Sequence, residues 1–180
     1  MRKRYNIWVV LWLIVIMGAI YALFKDKKAE ERNTDSAMYA EKCYDINGTR
    51  CISLEQMKYV AKEKLSSKEI DNFSQKCGLI LKEKSERNDL SSKYGFADFT
   101  YSVRIVESGD NLVYNYSCNC NAEYINMLRS DLKSEDSSAK DSWNNDNMGG
   151  LSGNIQGYQW VSLSWQMKEG SVLVQIGVEK

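Results

Sequence analysis

The chain has 180 residues, contains neither histidine nor proline, and carries 24 basic and 24 acidic residues. Without histidine it has no imidazole for a Ser-His-Asp or Cys-His relay, and its balanced charge provides no basic surface for nucleic acid. We therefore expect no nucleic-acid partner and no cofactor, and predict neither catalytic nor metal-binding residues.

An uncharged apolar run of eighteen positions, residues 7–24, has Trp8, Trp12 and Tyr21 near its ends. A helix of that length covers about 27 Å, just enough to cross the hydrocarbon core of a bilayer. The run lacks a small-residue cleavage site, which favours a retained signal-anchor over a cleaved signal peptide. The sequence predicts a single-pass transmembrane helix at residues 7–24 in contact with the lipid bilayer, after a cytoplasmic N-terminus at residues 1–6.

The charged residues 25–35 predict a tether between this helix and the remaining chain. Basic residues are nearly balanced on the two sides of the run, so the predicted orientation depends on the five cysteines, which suggest an oxidising compartment. We expect residues 36–180 to form one extracytoplasmic domain, either periplasmic or extracellular.

Two helices are predicted at the start of this domain. Ser53 with Gln56, and Ser66 with Glu69, have the spacing of capping boxes, and Gly78 is suited to end the second helix. The apolar positions that follow each capping box recur at helical spacing, so both helices should have a buried face.

Alternating apolar residues then predict two hairpins. The first joins residues 99–105 to residues 112–120, and the second joins residues 161–167 to residues 172–178. The sequence therefore predicts an α+β fold in which helices pack on a four-stranded antiparallel sheet made of these two hairpins.

A third helix is predicted between the hairpins. Asn121 is a suitable N-cap, and Ile125, Leu128 and Leu132 recur at helical spacing. The polar residues 134–154 that follow contain a glycine-rich segment and predict a mobile loop.

An exposed sheet face should carry the two aromatic residues Tyr158 and Trp160, next to a series of polar side chains. These aromatics either pack against neighbouring loop residues or mark a surface that contacts a partner.

The cysteines are candidates for disulfide bonds: Cys43, Cys51, Cys77, Cys118 and Cys120. Cys118 and Cys120 lie two apart on a predicted strand, at or beyond the span of a disulfide, so each should pair elsewhere. We expect Cys43 to bond Cys51, and Cys77 to bond Cys118 or Cys120. The odd cysteine could then join two copies as a homodimer. A cysteine-only zinc site, if the domain is cytosolic, and dithiol catalysis remain alternatives.

These features favour a membrane-anchored, non-enzymatic binding module that acts outside the cytoplasm on an unknown protein partner, as a subunit or inhibitor of an envelope complex. One alternative is a pilus or secretion-channel scaffold subunit, because the order of span, helices and sheet is similar to the layout of those proteins. The acidic residue of the pilin apolar segment is absent from residues 7–24, however. The other alternative is an extracytoplasmic thiol-redox enzyme that uses Cys118 or Cys120.

Overall fold

A computed structural model describes residues 7–87, 92–145 and 147–180, with the side chains in these ranges except those of residues 7–9, 28, 29 and 142–144. The chain divides into two compact units, the first ending at Met38 and the second running from Tyr39 to Lys180. The predicted cytoplasmic N-terminus, residues 1–6, lies outside the described residues.

Helix α1, Ile7–Ala40, accounts for the described part of the first unit. It continues without a break through the charged residues 25–35, which were expected to form a tether. Large apolar side chains from Val10 to Phe24 are exposed along it.

The predicted membrane span is corrected by the structure. Within the part of the chain that is described, no helix combines the length and the apolar character needed to cross a membrane. The finding overturns the transmembrane helix at residues 7–24, the single-pass localisation and the extracytoplasmic placement that depended on it.

The described residues of the second unit form three further helices and ten strands. In chain order they are β1 Tyr44–Ile46, β2 Thr49–Cys51, α2 Leu54–Lys62, α3 Ser67–Lys76, β3 Ile80–Glu83, β4 Lys93–Phe96, β5 Phe99–Ser108, β6 Asn111–Asn119, α4 Ala122–Glu135, β7 Lys140–Asn144, β8 Met148–Gly153, β9 Trp160–Gln166 and β10 Ser171–Glu179.

Eight of these strands form one antiparallel sheet in the order β3-β4-β5-β6-β10-β9-β8-β7, and β1 pairs separately with β2. The two predicted hairpins are β5–β6 and β9–β10, and they meet at the centre of the sheet through the pairing of β6 with β10. The α+β class is therefore correct. The four-stranded sheet is wrong, because these strands are only the middle of an eight-stranded sheet.

The predicted capping boxes are both present. The Ser53 hydroxyl accepts a hydrogen bond from the Gln56 backbone N–H at 3.2 Å, and the Gln56 side chain accepts one from the Ser53 backbone N–H at 2.9 Å. The Glu69 carboxylate accepts one from the Ser66 backbone N–H at 2.9 Å. Gly78 follows α3 with a φ of +73°, the left-handed conformation that ends many helices.

The third predicted helix is α4. The Asn121 side chain accepts a hydrogen bond from the Tyr124 backbone N–H at 2.9 Å, so this residue is the N-cap that the sequence predicts. Ile125, Leu128 and Leu132 are all completely buried against the sheet side of the helix.

Tyrosine hydroxyls attach the sheet to the helices. On β6, Tyr116 donates to the Met57 carbonyl of α2 at 2.9 Å, and Tyr114 donates to the Leu65 carbonyl just beyond that helix at 3.2 Å. Both rings are fully buried, so each phenol combines a large apolar contact with a satisfied polar end. These bonds hold α2 against the centre of the sheet.

One hairpin was missed although its signal is strong. Asn47 and Gly48, between β1 and β2, have φ values of +54° and +79°, as a two-residue hairpin turn with two left-handed residues requires. An Asn-Gly pair is the usual choice for that turn. The turn at Asn47 and Gly48 was not among the predicted elements.

The predicted loop at residues 134–154 instead contains β7 and β8. Its glycines are structural: a Cβ at Gly149 would come within 2.2 Å of the indole of Trp165 on β9. These strands were not predicted because the segment is mostly polar. Leu151 is the one large apolar residue that β8 buries in the core.

Replacing Tyr116 by phenylalanine should lower the free energy of unfolding by about 1–2 kcal/mol, because the Met57 carbonyl loses this donor inside the core. Urea denaturation followed by circular dichroism measures the change. Tyr21→Phe is the control, since Tyr21 is 72% exposed, and it should have no measurable effect. Equal stability of the Tyr116→Phe chain and the wild type would contradict the role of this hydroxyl.

Candidate functional site

The second face of the large sheet, which points away from α2 and α4, carries little charge in its central rows, and Lys140 and Glu179 extend two sides of that face. Successive strand residues point to opposite faces, so the residues that alternate with the buried ones form this second surface. Cross-strand pairing places nineteen residues there, which together are named the open face: Thr100, Asn119, Ser171, Gln166, Met148, Ser102, Ser117, Leu173, Ser164, Gly150, Arg104, Asn115, Gln175, Ser162, Ser152, Val106, Val113, Gly177 and Trp160.

The composition of the open face sets its chemistry. Arg104 is its single charged member, and eleven of the nineteen residues are uncharged serine, threonine, asparagine or glutamine. Gln175 donates to the Asn115 side chain at 2.7 Å, which orders the middle of the surface. The open face therefore offers hydroxyl and amide groups on a rigid sheet, with little electrostatic attraction for a charged ligand.

A shallow depression of about 310 Å³ lies on the open face around Leu173. Leu173 pairs with Ser117 on one side and Ser164 on the other. Because serine side chains are short, they leave space beside the leucine. The depression thus combines a half-buried apolar side chain with hydroxyl groups at its edges.

The structure separates the two aromatics that were predicted to share a contact surface. Trp160 belongs to the open face and lies on Gly177, where a Cβ would come within 2.6 Å of the indole. The Tyr158 hydroxyl instead donates to the Lys58 carbonyl of α2 at 3.1 Å, and the Lys58 ammonium lies 5.6 Å from its ring centre. Burial raises the pKa of Tyr158. Whether either residue contacts a partner stays a prediction.

The predicted disulfide bonds are absent from the structure. All five cysteines are free, and Cys43, which was expected to bond Cys51, lies beside Cys77 instead. The expectation failed because spacing along the chain does not reveal that the end of α3 folds back onto the segment after α1.

Cys43 and Cys77 share a single amide group. The Gln56 side-chain N–H₂ lies 3.2 Å from the Cys43 sulfur and 3.5 Å from the Cys77 sulfur. Arg50 is close to the same place, where it donates to the Cys77 carbonyl at 3.1 Å. Gln56 is completely buried on α2, so its capping bond and its thiol contacts are fixed together.

This environment distinguishes the two thiols. A hydrogen bond with Cys77 lowers the pKa of Cys43 to about 6 against the opposing effect of burial, and the Gln56 amide and the Arg50 charge lower it further. The hydrogen bond with Cys43, together with burial, raises the pKa of Cys77. These shifts make Cys43 the more readily ionised thiol of the pair and keep the proton on Cys77.

The other three cysteines lie in environments that suppress ionisation. Burial raises the pKa of Cys51 and of Cys120 to about 12 and also raises the pKa of Cys118. Since the thiolate is the reactive form, these residues are poor nucleophiles at neutral pH. The geometry therefore does not favour Cys118 or Cys120 as the reactive thiol of a redox enzyme.

Comparisons with protein-family models, with curated proteins and with solved structures find no match to this chain. The open face and the Cys43–Cys77 pair are therefore the two candidate sites of this chain.

Alkylation of Cys43 by iodoacetamide should reach half of its maximal rate near pH 6 and level off above about pH 7, because the thiolate is then fully formed. An ordinary thiol would instead show a rate that rises through about pH 8.5. Peptide mass spectrometry of timed samples measures the rate at each cysteine separately. A midpoint for Cys43 above pH 8 would contradict the proposed stabilisation of its thiolate.

Replacing Gly177 by alanine should displace the Trp160 indole, since the new methyl group would overlap the ring. We expect a loss of about 1–3 kcal/mol of stability and a change in tryptophan emission. The matched control is Ser162→Ala on the same face, where no glycine contact is disturbed. Unchanged emission and stability in the Gly177→Ala chain would show that the ring does not depend on this contact.

Proposed function

We propose that this protein is a non-enzymatic binding module, a subunit or inhibitor of a larger complex, which binds a protein partner through the open face. The observation that supports it is the low charge of the central rows of the sheet surface, where Arg104 is the one charged side chain and Lys140 and Glu179 lie only at the margins. The partner that fits is a protein surface that is itself uncharged and presents an apolar side chain to the depression beside Leu173.

The low charge of the open face favours a protein over a nucleic acid as the partner. Nucleic-acid surfaces are recognised mainly by lysine and arginine at phosphates, and Arg104 alone carries charge on the open face. A surface of hydroxyl and amide groups with a few apolar side chains resembles in composition the polar surfaces through which non-obligate protein complexes form.

The area of the open face indicates how strongly a partner can bind to it. Five strands spaced about 4.8 Å apart and four rows of residues about 6.8 Å apart define an area of roughly 400 Å² between the outermost positions. Interfaces that bury less than about 600 Å² per partner belong to the weak, transient class. We therefore expect reversible binding of modest affinity, with little dependence on salt because charge contributes little.

The depression supplies the most specific feature of this surface. Its apolar floor beside Leu173 can take one methyl or aromatic group, while Ser117 and Ser164 can bond the polar atoms around it. Central, desolvated contacts of this kind usually dominate the binding energy of an interface. A large charged side chain at position 173 should therefore abolish binding without entering the protein core.

The proposal is tested by placing a photoreactive phenylalanine derivative at Ser164 on the open face and, as a matched control, at the exposed Lys68 on α3. Crosslinking in cells is then compared with and without Leu173→Arg. We expect one protein adduct from position 164, its loss in the Leu173→Arg chain, and no such adduct from position 68. The yield should change less than twofold between low and high salt in extracts.

Thermal denaturation of each variant checks that the domain remains folded. The same adduct from both positions, an adduct that persists in the Leu173→Arg chain, or an adduct containing nucleic acid would overturn the proposal. The absence of any protein adduct from position 164 would also count against it.

A further inference from the structure

Two cysteines distant in the sequence meet at one place in the second unit. Cys43 lies between α1 and β1, and Cys77 is the C-cap residue of α3. Both sulfurs lie within hydrogen-bonding distance of the Gln56 amide, and the Cys43 thiol also lies 3.7 Å from the Cys77 carbonyl. A shared amide at 3.2 and 3.5 Å requires the two sulfurs to be close neighbours.

The pair is asymmetric in exposure. Cys43 is partly accessible, whereas Cys77 is completely buried. A reagent from solution can therefore reach the Cys43 sulfur first, and the buried Cys77 sulfur lies beside it inside the domain.

We propose that Cys43 and Cys77 form a thiol–disulfide exchange site for low-molecular-weight disulfides, with Cys43 as the attacking thiol and Cys77 as the resolving thiol. This pairing differs from each of the pairs expected from sequence, and the site lies apart from the open face. Its failure or success is therefore independent of the proposed binding function.

The exchange balances in two steps. The Cys43 thiolate attacks one sulfur of the small disulfide, so that a mixed disulfide forms and one small thiolate leaves and takes up a proton from water. The Cys77 thiol then loses its proton to water and attacks the Cys43 sulfur, which expels the second small thiolate. That second thiolate also takes up a proton from water, so the small disulfide is reduced to two thiols, and the protein loses two hydrogens relative to its dithiol form.

The environment suits this order of events. The hydrogen bond with Cys43 is the largest cause of the raised pKa of Cys77, followed by burial and then by the negative charge of the Cys43 thiolate. Once Cys43 is held in a mixed disulfide, that negative charge is gone, while the Arg50 guanidinium still favours the Cys77 thiolate. The first step therefore weakens the interactions with Cys43 that keep the proton on Cys77.

The experiment treats the full-length protein with oxidised glutathione at pH 6.5, stops the reaction with acid, and maps the products by peptide mass spectrometry. Wild type should lose two hydrogens with a Cys43–Cys77 link and show little retained glutathione. The Cys77→Ser chain should accumulate one glutathione on Cys43. The Cys43→Ser chain should react at least tenfold more slowly than wild type, and Cys51→Ser, the matched control, should behave as wild type.

Arg50→Gln provides a second variant, because Arg50 is exposed and its replacement leaves the core intact. It should shift the pH profile of the first step upwards, since one of the charges that favour the Cys43 thiolate is removed. Glutathione that remains on Cys43 in wild type would overturn the proposal. So would a first adduct on Cys51, Cys118 or Cys120, or an unmodified Cys77→Ser chain.

Discussion

Hydrogen bonds between tyrosine hydroxyls and the helical layer are the interaction on which the rest of the second unit depends. Tyr116 reaches the Met57 carbonyl, and Tyr124 on α4 reaches the Ile52 carbonyl just before α2, both at 2.9 Å. A phenol buried without such a partner would cost several kcal/mol, so each ring is compatible with only one placement of the helix beside it. Apolar burial alone would allow the helix to shift along the sheet. These directional hydrogen bonds instead hold the helix at one position.

Fixing α2 in this way has two consequences. One face of the sheet is covered, so the alternate residues of the same strands form the open face with its uncharged rows. The same helix carries Gln56 to the position where its amide contacts Cys43 and Cys77 at 3.2 and 3.5 Å. The two candidate sites therefore share one structural origin, although they lie in different parts of the domain and their chemistry is unrelated.

Prediction from sequence succeeded where the signal is local. The capping pair at Ser53, the N-cap at Asn121 and the alternation along β5 and β6 depend on neighbours a few residues apart, and each was found. Prediction failed for strands whose formation depends on contacts with a neighbouring strand that is distant in the sequence. Segments such as β8 bury little apolar surface of their own, and Gly149 is required there by the indole of Trp165 on another strand. No pattern within residues 134–154 reveals that contact.

The sequence by itself determined the α+β class, the two central hairpins, the helix caps and the absence of imidazole chemistry, because these follow from residue type and short-range periodicity. Only the tertiary structure decided that the sheet has eight strands, that Trp160 and Tyr158 point to different neighbours, and that Cys43 lies next to Cys77. These features arise from contacts between residues far apart in the chain. Such contacts are set by the packing of whole elements, which the spacing of residues along the chain does not encode.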